Sequence, residues 1–248
     1  MPALSDSLPP AATLVLMAAL GLIFGSFVTA LSYRLPRGIS IAKGRSRCPA
    51  CQTTLTARDL IPVVSWVMSR GACRACGTKV SWRYPAIEIV MAALFVTAGV
   101  AIENDLVLGL VLGMTPVMVA LAVIDLEHRR LPNGLLAILA GFGIAFRYST
   151  DGDLAVAIIG AFVVFAFAVV LDQLARRLAK QGLGMGDAKL MAVIAITLPP
   201  VPLLIVLSAA GVLGVMMSLF WSRNAADTQC FPLGPPLLAV FWTGLIML

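Results

Sequence analysis

The chain has 248 residues, 60% of them hydrophobic and only 12% charged, with a mean hydropathy of +0.98. That is too little polar surface to coat a water-soluble globule, which excludes an ordinary soluble enzyme or binding module and makes lipid the main solvent. A pI near 9.4 and a net charge of +6 would suit nucleic acid, but the basic residues gather in loops flanking apolar runs, so no nucleic-acid partner is expected.

The first apolar run, Ala12 to Tyr33, is preceded by Asp6 and by no Lys or Arg, and it is long enough to span. It is expected as a retained helix rather than a signal peptide. Residues 34 to 84 form the one sizeable polar region, with ten basic residues against a single acid, Asp59, between Arg34 and Arg83. Further apolar runs follow at Ala86 to Ile102, Leu106 to Ile124, Leu135 to Phe146, Leu154 to Leu174, Ala188 to Leu198, Val201 to Trp221 and Leu233 to Leu248. The expected fold is therefore all-α and polytopic, with about eight transmembrane helices. The fourth and sixth runs fall short of the roughly 17 residues a span needs, so they borrow flanking residues or line a cavity as partial spans.

Turn signals at Glu103-Asn104-Asp105, Leu131-Pro132-Asn133-Gly134, Ser149 to Asp153 and Pro199-Pro200 with Pro202 punctuate the runs. If the loops alternate sides, one face carries seventeen of the eighteen basic residues, including Lys180 and Arg223, and the other keeps Arg147. The basic face is then cytoplasmic and both termini lie outside. Gly109/Gly113 and Gly211/Gly214 read as close helix packing. No internal repeat and no low-complexity tract is evident.

Cys48-Pro-Ala-Cys51 and Cys73-Arg-Ala-Cys76 are two C-x-x-C pairs separated by twenty-one residues, close to the spacing of four-thiolate zinc sites. Each tight turn aims two sulfurs at one tetrahedral ion. Paired disulfides or redox dithiols are the competing reading, but a cytoplasmic loop keeps its thiols reduced. A loop of this size with few apolar anchors gains a reason to fold from a metal staple. Its Arg45, Arg47, Arg70, Arg74, Lys79 and Arg83 read equally well as a phospholipid-facing surface. Cys230 stands apart as a buried or loop thiol without a role.

Ionisable groups at membrane-embedded helix ends are costly to desolvate and so are functional candidates. Asp125 follows the run ending at Ile124, and Asp187 sits in Gly182-Leu183-Gly184-Met185-Gly186-Asp187-Ala188-Lys189, a glycine-rich turn that permits close approach. Both fall at the same membrane face. Two neighbouring carboxylates share a proton, so one polarises water while the other protonates a leaving amine. Helix capping, or pairing with Arg129, Arg130 or Lys189, is the competing reading for each. The lone histidine, His128, excludes a two-histidine zinc protease. A serine protease pairing it with Ser26 is disfavoured by the flanking arginines.

Gly184-x-Gly186-Asp187-x-Lys189-Leu190, with Asp125 and Leu131-Pro132-Asn133 upstream, resembles the type IV prepilin peptidases, polytopic aspartyl proteases of the G-x-G-D group. Gly25-Ser26-Phe27, Arg34-Leu35-Pro36, the paired C-x-x-C motifs, Ile61-Pro62, Ser65-Trp66, Arg83-Tyr84-Pro85 with Glu88, and Pro232-x-Gly234-Pro235 extend the resemblance over nearly the whole chain. It implies cleavage of the basic leader of prepilins or type II secretion pseudopilins, after a glycine at the cytoplasmic face of the bacterial inner membrane. Asp125 and Asp187 would be catalytic, Gly184, Gly186 and Lys189 would support the active-site loop, and Cys48, Cys51, Cys73 and Cys76 would hold structural zinc. Members with the cysteine loop also N-methylate the new amino terminus using S-adenosylmethionine. Here Thr29-Ala30 replaces the family's Asn-Val and Asp59-Leu60-Ile61-Pro62 departs from its D/E-N-I-P, changes that bear mainly on methyl transfer.

The expected domains are 1–33, a first transmembrane helix; 34–84, a small cytoplasmic zinc-binding domain; and 85–248, a multi-helix membrane protease domain. The rival from another class is an ion- or proton-coupled transporter using Asp125 and Asp187, weakened because both acids lie at one face rather than near the midplane. A third reading is a membrane scaffold whose zinc loop recruits a partner.

Overall fold

A computed structural model describes residues 9–41, 44–150, 152–179, 184–224 and 232–247. Cys230, Lys180, Gly182 and Leu183 lie outside the described residues. The chain divides into two compact units, Met1–Asp105 and Leu106–Leu248.

In the first unit, α1 (Pro10–Arg34) and α3 (Arg83–Ala101) pack along each other. Their backbones come so close that a Cβ at Gly21 would lie 2.5 Å from Ala92 Cα, and one at Gly25 would lie 2.6 Å from Glu88 Cα. This is the small-x-x-x-small packing of membrane helices. The pairs expected to pack closely do so by one member each: Gly113 packs on Phe142 and Gly214 on Leu233, while Gly109 and Gly211 face open space. Val28, Met91, Phe95 and Ala98 are buried in the seam, and Phe24 meets Phe95 with ring centroids 5.5 Å apart.

Between these helices the polar region makes 3₁₀ turns at Leu35–Arg37 and Ala57–Leu60, the short helix α2 (Val64–Met68) and two isolated antiparallel bridges, Arg47 with Thr54 and Ala72 with Lys79. Thr56 and Asp59 form a reciprocal capping box over the second 3₁₀ turn. Hydrogen bonds from Thr56 pull the Asp59 carboxyl below the usual range, with Arg74 adding its charge. Val63, ahead of α2, has φ 59° and ψ −52°, and the Val64 N–H reaches back to the Pro62 carbonyl at 2.5 Å. That is the rare positive-φ γ-turn, a strained conformation for a β-branched residue.

The second unit contains α4 (Asp105–His128), α5 (Asn133–Ser149), α6 (Leu154–Ala179), α7 (Met185–Thr197), α8 (Pro200–Asn224) and α9 (Gly234–Ile246). The described residues of all eight apolar runs are thus helical but for residues at their ends, and the turn signals fall at helix ends, Pro202 lying in the first turn of α8. Among the described residues five helices, α1, α3, α4, α6 and α8, are long and apolar enough to cross a membrane; α5, α7 and α9 have 17, 13 and 13 residues. The protein is a polytopic helical membrane protein.

The short α7 contacts α5, α6, α8 and α9 and buries Leu190, Val193, Ile194 and Ala195. Phe162, Val163 and Phe167 on α6 are exposed, as are Leu204, Ile205 and Val215 on α8, a pattern that lipid satisfies and water would not. Inside the bundle, Trp242 Nε1 donates to Thr115 Oγ1 at 2.9 Å. Thr115 precedes Pro116, which interrupts the hydrogen-bond ladder of α4.

Candidate active site and metal centre

Asp125 stands in the last turn of α4, where the exposed carbonyl end of a helix opposes negative charge. It is only 5% exposed. Its partner is the opposite kind of helix end: the N–H of Gly234, the first residue of α9, donates to Asp125 Oδ2 at 3.1 Å. A Cβ at residue 234 would lie 2.5 Å from that oxygen, so only glycine lets the backbone approach. The charge of Arg129 is also within reach.

Asp187 is in the first turn of α7, whose N-cap is Gly184. Its N–H donates to the Gly184 carbonyl at 3.0 Å, and its carboxylate accepts from the Gly184 N–H. The capping role considered above therefore holds for Asp187, as one half of a capping box. It does not exhaust the residue, because Asp187 also feels the charge of Asp125. The end of α4 and the starts of α7 and α9 thus meet at one end of the second unit.

The flanking residues brace this end. Gly186 packs against the Leu131 side chain. Lys189 Nζ donates to Asn133 Oδ1 at 2.9 Å, tying α7 to the start of α5, so Lys189 joins two helices. His128 is half-buried, and its Nε2 has no hydrogen-bond partner among the described residues. Gly234 carried only a weak motif signal, Pro232-x-Gly234-Pro235; its contact with Asp125 spans 109 residues of sequence and has no local signature.

In the first unit the four Sγ atoms of Cys48, Cys51, Cys73 and Cys76 lie within 4.8 Å of one another, and all four cysteines are free. Thiolates about 2.3 Å from a tetrahedral zinc are spaced by roughly 3.8 Å, and Cys48 and Cys76 stand at 3.9 Å. The donor set therefore fits a tetrahedral thiolate-binding cation, and zinc suits it.

The two turns are copies of each other. Cys48 N–H donates to the Thr53 carbonyl at 3.0 Å and Cys73 N–H to that of Thr78 at 2.8 Å; Gln52 and Gly77 N–H return to the Cys48 and Cys73 carbonyls. Gln52 and Gly77 both have positive φ, and Cys51 and Cys76 each place Sγ 3.3 Å from the threonine hydroxyl two residues on. C-x-x-C-x-T thus occurs twice, a short internal repeat after all. Thr53 pulls the Cys51 thiol below its ordinary range and Thr78 does the same for Cys76, while backbone N–H groups of Cys76 and Ala75 lower Cys73. Such shifts favour the thiolate, the form that binds metal.

Glu88, read from the sequence as a motif residue and as a possible helper to the aspartates, is buried on α3. It accepts the Val63 N–H at 2.7 Å and a hydrogen bond from the Ser26 side chain of α1. Arg83 donates to Ser32 Oγ at 2.7 Å.

Residues 19–102 match the bacterial peptidase A24 N-terminal domain, and residues 110–219 match the type IV leader peptidase family. The chain is 33% identical over 226 residues to a prepilin leader peptidase/N-methyltransferase of Bacillus subtilis, with 88% of each chain covered. It is 32% identical over 249 residues to a type 4 prepilin-like proteins leader peptide-processing enzyme of Escherichia coli, covering 92% of this chain and 91% of the relative. A prepilin leader peptidase/N-methyltransferase of Myxococcus xanthus is 35% identical over 237 residues, covering 90% and 70%. No solved structure matches the chain. None of these relatives supports a transporter. With two family matches placed side by side and relatives aligned along most of its length, the chain belongs to the type IV leader peptidase family.

Proposed function

We propose that this protein is a membrane aspartyl endopeptidase that removes the basic leader of type IV prepilins or type II secretion pseudopilins. The observation that carries this reading is the electrostatic contact between Asp125 and Asp187, brought from the end of α4 and the start of α7 to the same end of one helical unit. Two carboxylates so placed resist ionising together. The ionised one takes a proton from water as its oxygen attacks the scissile carbonyl, and the protonated one supplies a proton to the substrate, finally at the leaving nitrogen. Gly184 and Gly234 hold the two acids with backbone N–H groups. The Leu131–Gly186 packing and the Lys189–Asn133 hydrogen bond tie the start of α7 to the connection between α4 and α5.

The excess of basic residues in the loops supports a cytoplasmic position for this end of the unit, at the inner membrane of a bacterium. A positively charged leader would stay in the aqueous phase while the apolar stem of the substrate enters the bilayer, presenting the bond after the leader glycine at the interface. Residues 1–33 serve as a first helix, 34–84 as the metal-bearing loop and 85–248 as the membrane protease. Zinc held by Cys48, Cys51, Cys73 and Cys76 cross-links the two cysteine turns. The relatives' names also carry methyl transfer, which implies S-adenosylmethionine; a donor site needs polar partners for its amino-acid end. The recess of about 250 Å³ between α6, α7 and α8 has an all-apolar lining that includes Val156, Ile159, Leu198 and Leu203, and it does not fit that group.

The test is cleavage of a leader-bearing pilin-like peptide by the full-length protein in membranes. Cutting after the glycine by the native protein, and none by Asp125→Asn or Asp187→Asn, is expected; full activity in either variant removes the pair from the reaction.

A further inference from the structure

The short helix α2 turns an apolar face outward. Val64, Val67 and Met68 follow one another at helical spacing, and they are 49%, 60% and 72% exposed. Ile61, one turn ahead, and Leu60 beside it are exposed as well. A soluble loop would not leave five large apolar residues together in water without an occupant for them.

The height of this face is set by Glu88. The Val63 N–H immediately ahead of α2 is fastened to the Glu88 carboxylate, which also holds Ser26. Glu88 lies five residues inside α3 and Ser26 eight residues before the end of α1. At 1.5 Å per residue these anchors lie about 7 Å and about 12 Å from the loop-side ends of their helices. Both helices are long and apolar enough to cross the membrane. At the level of Glu88, the neighbouring Ile89 and Val90 of α3 are themselves exposed, which a spanning helix allows only toward lipid. Val63 accepts the strained γ-turn to be held there.

The rim of the face has matching chemistry. Arg58 and Arg70 flank the segment and are exposed, and Asp59, the one acid nearby, is occupied by Thr56 and by Arg74 at 3.5 Å. Trp82, 73% exposed, stands at the start of α3, the headgroup level that tryptophan prefers. An apolar face rimmed by arginine at this depth is the composition of an interfacial helix.

We propose that α2 is embedded in the loop-side leaflet of the bilayer, with Val64, Val67, Met68 and Ile61 among the acyl chains and Arg58 and Arg70 at the headgroups. The zinc-binding loop is thereby pinned flat against the membrane instead of standing free in water. This does not depend on the peptidase reading, since it needs only that α1 and α3 span.

The experiment places a photoreactive amino acid at Met68, or separately at Val67, in the full-length protein. The variants are reconstituted in vesicles of phosphatidylethanolamine and phosphatidylglycerol. Ile89 on α3 provides the reference for lipid contact, and a leader-bearing pilin-like peptide is added in a parallel arm. Irradiation is expected to give phospholipid adducts at 67 and 68 in yields within threefold of that at Ile89, unchanged by the peptide. Lower yields overturn the proposal. So do adducts to a second copy of the chain, or lipid adducts replaced by peptide adducts, which would assign the face to the substrate.

Discussion

Residues 34–84 and the unit Leu106–Leu248 keep their shapes by different means. The loop has little buried apolar surface, Cys48 being the residue of its cysteine turns that is buried. Its order comes from two copies of one hydrogen-bonded turn, a capping box, the Glu88 anchor and four convergent thiols. The helical unit is packed around Leu121, Ile124, Leu190, Ile194 and Phe241, with Asp125 held by the Gly234 N–H at one end. A loop organised by local bonds and convergent thiols can be dismantled without melting helices, and a carboxylate pair organised by helix ends can be displaced without touching the loop.

The largest effect should come from the pair itself. Asp125→Asn or Asp187→Asn should lower leader cleavage by about 10⁴-fold, the scale seen when a member of a catalytic unit is removed, while zinc content stays at the native level. Next, Gly234→Ala forces a Cβ onto Asp125 Oδ2; misplacing a reacting group by an ångström costs on the order of 10²-fold, so kcat should fall by that amount. Gly134→Ala, which meets nothing within 4 Å, should leave cleavage unchanged, and equal losses in both variants would refute the local explanation.

Cys48→Ser combined with Cys73→Ser should abolish bound zinc in metal analysis. It should also shorten the tryptic half-life of the loop by roughly tenfold or more, given the large share of folding energy a structural zinc supplies. Helicity by circular dichroism should scarcely change. Retained zinc, or a loss of helicity comparable to the loss of the loop, would erase the contrast between the regions.

The smallest effect belongs to Asp59→Asn. The folded-state pKa of Asp59 is depressed, so its stabilisation is present above the unfolded value of about 3.9 and disappears as pH falls through the folded value. At neutral pH the variant loop should be cut by trypsin about threefold faster, in line with a cap worth up to about 1 kcal/mol. The gap between variant and native protein should narrow as acid protonates the native carboxylate.

Much of this architecture could be read from the chain. Apolar length and turn residues marked eight of the nine described α-helices, all but the short α2, because a segment in lipid must satisfy its own backbone and declares itself by composition. The cysteine spacing announced a four-thiolate site, since two-residue gaps aim pairs of sulfurs whatever surrounds them. The acids at 125 and 187 stood out because charge at the end of an apolar run is rare and costly. The helix-packing glycines were legible in part: Gly113 and Gly214 are closely packed as read, Gly109 and Gly211 face open space, and the backbone contact at Gly21/Gly25 has no signature apart from the helix that meets it.

What composition and local spacing determine, then, are the properties each segment has alone: that it is helical, that it prefers lipid, that it offers thiolates or a carboxylate. The tertiary structure decides which distant groups meet. Gly234 beneath Asp125, Asn133 on Lys189, Trp242 on Thr115 and Glu88 on Val63 are contacts across 25 to 127 residues. Each is one hydrogen bond between groups that are unremarkable in their own neighbourhoods. Such pairings leave no periodicity behind, because they are fixed by how helices of given length and face come to rest against one another.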